Sequence, residues 1–210
     1  MTSGDEQDAL RRDAADPGHR DLFHIPEPAG RSDAECVYLA GNSLGLQPRA
    51  TAGELAAELA AWQRLGVEGH FDADRPWFSY HQLLTEPAAR LVGALPVEVV
   101  AMNSLTVNLH LLMVSFYRPL GSRSRIVVED TTFPSDSYAV RSQAAFHGLD
   151  PDEAVVRIGT NEVIDFLGRH GDTVALVLLG GVNYLTGELL DIPALTAAGH
   201  DAGAVVGWDL

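Results

Sequence analysis

The sequence predicts an α/β protein, a partial doubly wound and mainly parallel sheet preceded by a helical N-terminal segment. Three observations lead there. From about residue 96, short β-branched runs alternate with stretches of helical periodicity, the pattern of successive strand–helix units. Those runs are apolar throughout, as strands covered on both faces are. Before residue 96 the periodicity is helical only. The expected division is an N-terminal arm and helical segment over residues 1–95 and a sheet domain over residues 96–210.

Residues 1 to about 35 are charged and carry Pro17, Pro26 and Pro28, so they read as an arm that docks or frays. TAGELAAELAAWQRLG sets Leu55, Leu59 and Trp62 on one helical face and stops near Gly66. LLTEPAARLVGAL follows as a second helix, with Pro87 expected near its start because an interior proline forfeits a hydrogen bond. Five strands are then expected: VVAMN (99–103), RIVVE (125–129), AVVRI (154–158), TVALVLL (173–179) and AVVGWD (204–209). LTVNLHLLMVSFY, SDSYAVRSQAAFHG, NEVIDFLGRHG and PALTAAGHDAG read as the helices between them.

Composition narrows the function classes. The chain has 29 acidic against 14 basic residues, a formal net charge of -15, which repels a phosphate backbone and argues against a nucleic-acid partner. All 14 bases are arginine, and lysine is absent. Chemistry that needs a side-chain amine must find it outside these residues. Cys36 is the single cysteine, which excludes an internal disulfide, suits a reducing compartment and reads as a packing thiol. No apolar run approaches the roughly 18 residues of a membrane span, and the N-terminus lacks an apolar leader core. The expected location is cytoplasmic, without a membrane partner.

Ligands of open α/β sheets sit beyond the carboxyl ends of the strands. After VVAMN comes Asn103-Ser104-Leu105-Thr106, where free N–H groups and the Thr106 hydroxyl make either an anion site or a simple helix cap. After RIVVE comes Asp130-Thr131-Thr132-Phe133-Pro134-Ser135-Asp136, an aromatic ring, a rigid turn and a carboxylate together. Phe133 could equally be core, and Asp136 could simply favour a helix N-terminus. Asp209 ends a buried strand, so a protonated heterocycle or an arginine is implied as its partner. No G-x-G-x-x-G follows a strand and no phosphate-binding loop with lysine exists. His24, His70, His81, His110, His147, His170 and His200 lack metal-ligand spacing, so no metal is expected.

The segments DAADP, YLAGNSLGLQP, GHFDADRPW, MNSLTVNLHLLM, FPSDSYA, NYLTGELLDIPA and VGWDL, in this order, resemble the N-terminal half of the kynureninases. The resemblance implies the aspartate aminotransferase fold, with residues 96–210 an incomplete large domain that binds pyridoxal 5'-phosphate. It also implies a homodimer. Leu105 and Thr106 would hold the cofactor phosphate, Phe133 would stack on the ring with Pro134, Ser135 and Asp136 beside it, and Asp209 would pair with the pyridinium nitrogen. Ser43 and His70 match positions on the substrate side. At Gly180, where some members carry a serine or an acid, this chain has no side chain.

The implied reaction is hydrolytic Cβ–Cγ cleavage of L-kynurenine, or of 3-hydroxykynurenine, to anthranilate or 3-hydroxyanthranilate and L-alanine. It belongs to tryptophan degradation and NAD biosynthesis. The family's Schiff-base lysine would follow an Ala-His-Ala segment beyond Leu210, so no catalytic residue is expected within this chain, and alone it is expected not to turn over kynurenine. Two other readings stand beside this one: a relative of the cysteine desulfurases, and a non-catalytic fragment that binds a partner chain.

Overall fold

The structure, a computed structural model, describes residues 3–16, 18–27 and 36–210. Pro17 and Pro28, expected to break the arm, lie outside the described residues. The chain divides into two compact units, Met1–Val99 and Val100–Leu210.

The first unit is helical. The charged arm contains a helix, α1 (Ser3–Ala15), where only a docking or fraying segment was expected. Its Ala, Leu, Glu and Arg residues are good helix formers, and Asp8 pairs with Arg12 one turn on at 2.8 Å. Such a pair adds only a few tenths of a kcal/mol. Next come α2 (Thr51–Leu65), the single turn α3 (Gly69–Asp72) and α4 (Gln82–Val92). Leu55, Leu59 and Trp62 share a face of α2, as the spacing predicts, and that face is exposed. Arg75 holds α2 to the following segment through Glu54 at 2.5 Å and Glu58 at 2.8 Å. The Trp77 indole N–H also donates to Glu58 at 3.0 Å.

Pro87 lies inside α4, not near its start. It leaves the Leu83 carbonyl without its usual donor, and the helix persists on its other bonds until Gly93, whose left-handed φ of +68° closes it.

The second unit is the sheet domain. Its elements in order are α5 (Leu105–Phe116), β1 (Arg125–Glu129), α6 (Pro134–Phe146), the turn α7 (Pro151–Ala154), β2 (Val155–Ile158), α8 (Val163–His170), β3 (Val174–Gly180), α9 (Ile192–Asp201) and β4 (Val205–Asp209). The strands pair in the order β2-β1-β3-β4, all parallel. Successive residues of each strand enter opposite cores. Ile126, Val128, Leu176 and Leu178 pack with Met113 and Tyr117 of the α5 region and with Ala139, Val140 and Ala144 of α6. Val127, Val177 and Leu179 pack on the other face with Val163 and Leu167 of α8 and Leu195 of α9. Both faces are thus covered by helices, which is why these strands carry almost no polar residues.

VVAMN, expected as the first strand, forms none: among the described residues the sheet has four strands, and neither edge takes a fifth. β propensity is realised only against a neighbouring strand. Val100 and Met102 accordingly remain about half exposed (59% and 46%).

At the amino ends of the strands Arg123 acts as a clamp. One of its guanidinium nitrogens donates to the carbonyls of Gly171 (3.0 Å), Val174 (2.6 Å) and Ala202 (3.0 Å), tying together the entries to β1, β3 and β4. Charged donors to carbonyls are among the stronger hydrogen bonds. β1 sends its chain to β2 on one side, whereas β2 crosses over β1 to reach β3, so the strand order reverses between β1 and β3. A crevice at the carboxyl ends is expected at such a point.

Leu179 is 1% exposed at the centre of the second core. Leu179→Ala should therefore cost about 2–5 kcal/mol, read as a lower urea midpoint with an unchanged denaturant slope.

Candidate functional site

Three carboxyl groups meet beyond the carboxyl ends of the strands. Asp209 ends β4 in register with Gly180 of β3. Asp136 sits in the first turn of α6, where a negative charge interacts favourably with the helix dipole. Glu129 ends β1. Asp136 and Glu129 are 4% and 3% exposed, and among the described residues no ion pair reaches any of the three.

Electrostatics follow from that crowding. Asp136 and Asp209 lie close enough for the charge of one to act on the other, which makes two ionised carboxylates side by side costly. Burial, then the Asp209 charge, push Asp136 up to about 6, against a weaker opposing bond from the Ser135 hydroxyl at 3.3 Å. Burial likewise pushes Glu129 up, followed by the charges of Asp130, Asp209 and Asp136, while the Gly180 backbone N–H lowers it. Its Oε2 is buried with no hydrogen-bond partner. The cluster is therefore short of positive charge, and a cation with one N–H to donate would satisfy it. Among the described residues no group of three or more His, Cys, Asp or Glu could hold a metal ion.

An aromatic wall and a tied loop adjoin the acids in sequence. Phe133, just before α6, meets Tyr184 edge to face at 5.1 Å and is half exposed. Tyr184 belongs to the loop between β3 and α9, which turns back on itself through a bridge between Val182 and Leu189. Asn183 holds that loop. Its Oδ1 accepts from the N–H groups of Leu185 (2.9 Å) and Thr186 (3.1 Å), and its Nδ2 donates to Thr131 at 2.9 Å. The Gly181 N–H donates to the Asp209 carbonyl at 2.8 Å, fixing the end of β4.

Of the residues singled out from sequence, Ser135, Asp136 and Asp209 come together, with Phe133 and Pro134 at the entrance to α6. Leu105 and Thr106 open α5, whose first turn has no side-chain cap from Ser104. The approach is held instead by Asn108, which accepts from the Asn103 N–H at 2.9 Å and donates to its carbonyl at 3.1 Å. First-turn N–H groups of α5 therefore remain available to an anion. Ser43 and His70 lie in the other unit. The Ser43 N–H donates to the Ala40 carbonyl at 3.0 Å, and the His70 ring meets Trp77 edge to face at 5.5 Å.

Sequence reasoning passed over Glu129, Thr131, Asn183 and Tyr184. Glu129 had a readable signal, since RIVVE ends in an acid just as VVGWD does. Asn183 and Thr131 had none, because 52 residues separate the two ends of their hydrogen bond.

Asp136 should make stability depend on pH. Its folded carboxyl keeps a proton up to about 6, whereas the unfolded one loses it near 3.8. The native state thus binds the extra proton in this window, and stability falls as pH rises through it. Asp136→Asn should flatten that slope, measured as the urea midpoint between about pH 4 and pH 6.

No protein-family model matches the chain. Its sequence is similar to curated kynureninases: 68% identical to that of Salinispora tropica over 98% of this chain and 50% of the relative. The Myxococcus xanthus and Koribacter versatilis proteins are 54% and 51% identical over 98% and 97% of this chain. Among solved structures the fold is similar to C-DES, in a mutant with glycine covalently linked to its PLP cofactor, at a TM-score of 0.57 and 16% identity over 78% of this chain and 43% of that one. It is also similar to a cysteine desulfurase from Escherichia coli, with a TM-score of 0.52 and 21% identity over 79% of this chain and 42% of that one. Both likenesses concern the fold alone. The chain spans about half the length of the curated relatives it matches, and over that span it is similar to the kynureninases.

Proposed function

We propose that this chain forms the pyridoxal 5'-phosphate-binding part of a kynureninase. The reaction is hydrolysis of the Cβ–Cγ bond of L-kynurenine, or of 3-hydroxykynurenine, to anthranilate or its 3-hydroxy form and L-alanine, a step of tryptophan breakdown that feeds NAD synthesis. The observation that carries the reading is buried Asp136 placed beside Asp209 at the end of the sheet, two carboxyls with no ion pair to either among the described residues. A protonated heterocycle fits that need in charge and in its single N–H. Arginine, the other partner considered for Asp209, makes no ion pair with it among the described residues.

Bound pyridoxal 5'-phosphate supplies an electron sink for the bond changes at the substrate's α-carbon. Asp209 keeps the proton on the ring nitrogen, and Asp136 sets the orientation of Asp209. Phe133 stacks on the ring face and Pro134 fixes its approach, while Ser135 steadies Asp136. The first-turn N–H groups at Leu105 and Thr106, with the Thr106 hydroxyl, hold the phosphate. The resemblance assigns Ser43 and His70 to the substrate side, and the family's homodimer is part of the reading. The exposed apolar face of α2 supports the dimer, since Leu55, Leu59 and Trp62 together form a patch suited to burial against a second copy. A cytoplasmic location suits a chain with one cysteine. No helix among the described residues is long and apolar enough to cross a membrane.

The lysine-free sequence has a direct consequence: the Schiff-base amine comes from outside these 210 residues. Titration with the cofactor should quench tryptophan fluorescence, since Trp208 adjoins Asp209. Borohydride should leave no lysine adduct in these residues. Asp209→Ala should weaken cofactor binding by about 30-fold or more, the roughly 2–5 kcal/mol of a broken charge pair. Anthranilate should form from kynurenine when the unmatched half of the Salinispora tropica relative is supplied. Absence of cofactor binding by the unaltered chain would falsify the reading.

A further inference from the structure

Glu129 is the most buried acid of the cluster, yet the reading above gives it no task. Its Oε1 side lies against β3, where any Cβ at position 180 would stand 3.2 Å from that oxygen. Glycine at 180 therefore leaves the carboxyl its seat. Its Oε2 is enclosed with no partner. The groups that face it are Asp130 beyond its own strand, Asp136 from α6, Asp209 from β4 and the Gly180 N–H from β3. Three of these are acids and none is a cation. A carboxylate so placed has one donor for two oxygens, and a proton is the relief that the site itself offers.

We propose that Glu129 is a third acid of the ring site, a positioning residue that carries a proton in the ligand-free fold and releases it when a cationic ring is seated against Asp136 and Asp209. The proposal rests on the cofactor reading above and adds a proton-coupled residue to it. While protonated, Glu129 adds no third negative charge to a site that already holds two carboxyls. Once a positive ring arrives, the ionised form becomes tolerable, and its charge then reinforces the hold on the ring. The proton passes to solvent and no other bond is made or broken. Cofactor binding is thereby linked to pH through a residue that need not touch the ring.

The test uses the full chain and pyridoxamine 5'-phosphate, which needs no lysine. Titration calorimetry in two buffers of different ionisation enthalpy counts the protons released per ligand. The unaltered chain should release more protons than Glu129→Gln. The ratio of their affinities should approach one toward acid pH and grow as pH rises, by up to about tenfold per unit. Without ligand, Glu129→Gln should melt higher than the unaltered chain at pH 8, by roughly 3 °C or more, and the gap should narrow as pH falls and close about one unit below the ordinary glutamate value, where both states of the glutamate are protonated. Equal proton counts, parallel affinities, loss of binding at every pH or no gain in melting temperature at pH 8 would each overturn the role of Glu129 and leave the cofactor reading intact. Failure of the unaltered chain to bind would overturn both.

Discussion

A carboxyl group at the end of a buried strand must find a proton or a cation, and this requirement organises the sheet unit. Parallel strands deliver their last residues to one edge. Here β1 and β4 both end in an acid, and α6 brings another back to the same place. Burial and the neighbouring Asp209 push Asp136 up to about 6, so that a proton on Asp136 meets part of the cost. Everything else at that edge keeps the acids in place: Ser135 beside Asp136, the Gly181 N–H on the Asp209 carbonyl, and glycine at 180 beneath Glu129. In water three such groups would separate, whereas the covered sheet holds them together.

Much of this was legible in the residues. Strands covered on both faces announce themselves as unbroken apolar runs, and four of the five expected strands form where the runs lie. The fifth, VVAMN, has the composition but not the neighbour, and pairing is a property of two segments. Pro87 misleads for the opposite reason, since a helix can tolerate one missing bond where the rest of its ladder holds. Helix α1 has no apolar stripe to betray it and rests on propensity and a local ion pair.

The site divides in the same way. Asp136 and Asp209 could be picked out because a carboxylate is conspicuous beside a buried strand. That they come together could not, since they stand 73 positions apart in sequence and their proximity depends on the strand order. Asn183 is an ordinary loop asparagine in sequence, and only the fold makes it the residue that closes the β3–α9 loop over Thr131.

The clamp at Arg123 gives the unit a further property. A guanidinium sits where the strands begin and three carboxyls gather where they end. The two ends of the sheet are thus chemically unlike, a guanidinium held by carbonyls at the foot and carboxyl groups at the rim. A ring with a protonated nitrogen therefore finds its acceptors at the rim, while the foot is already closed by the carbonyls that Arg123 gathers.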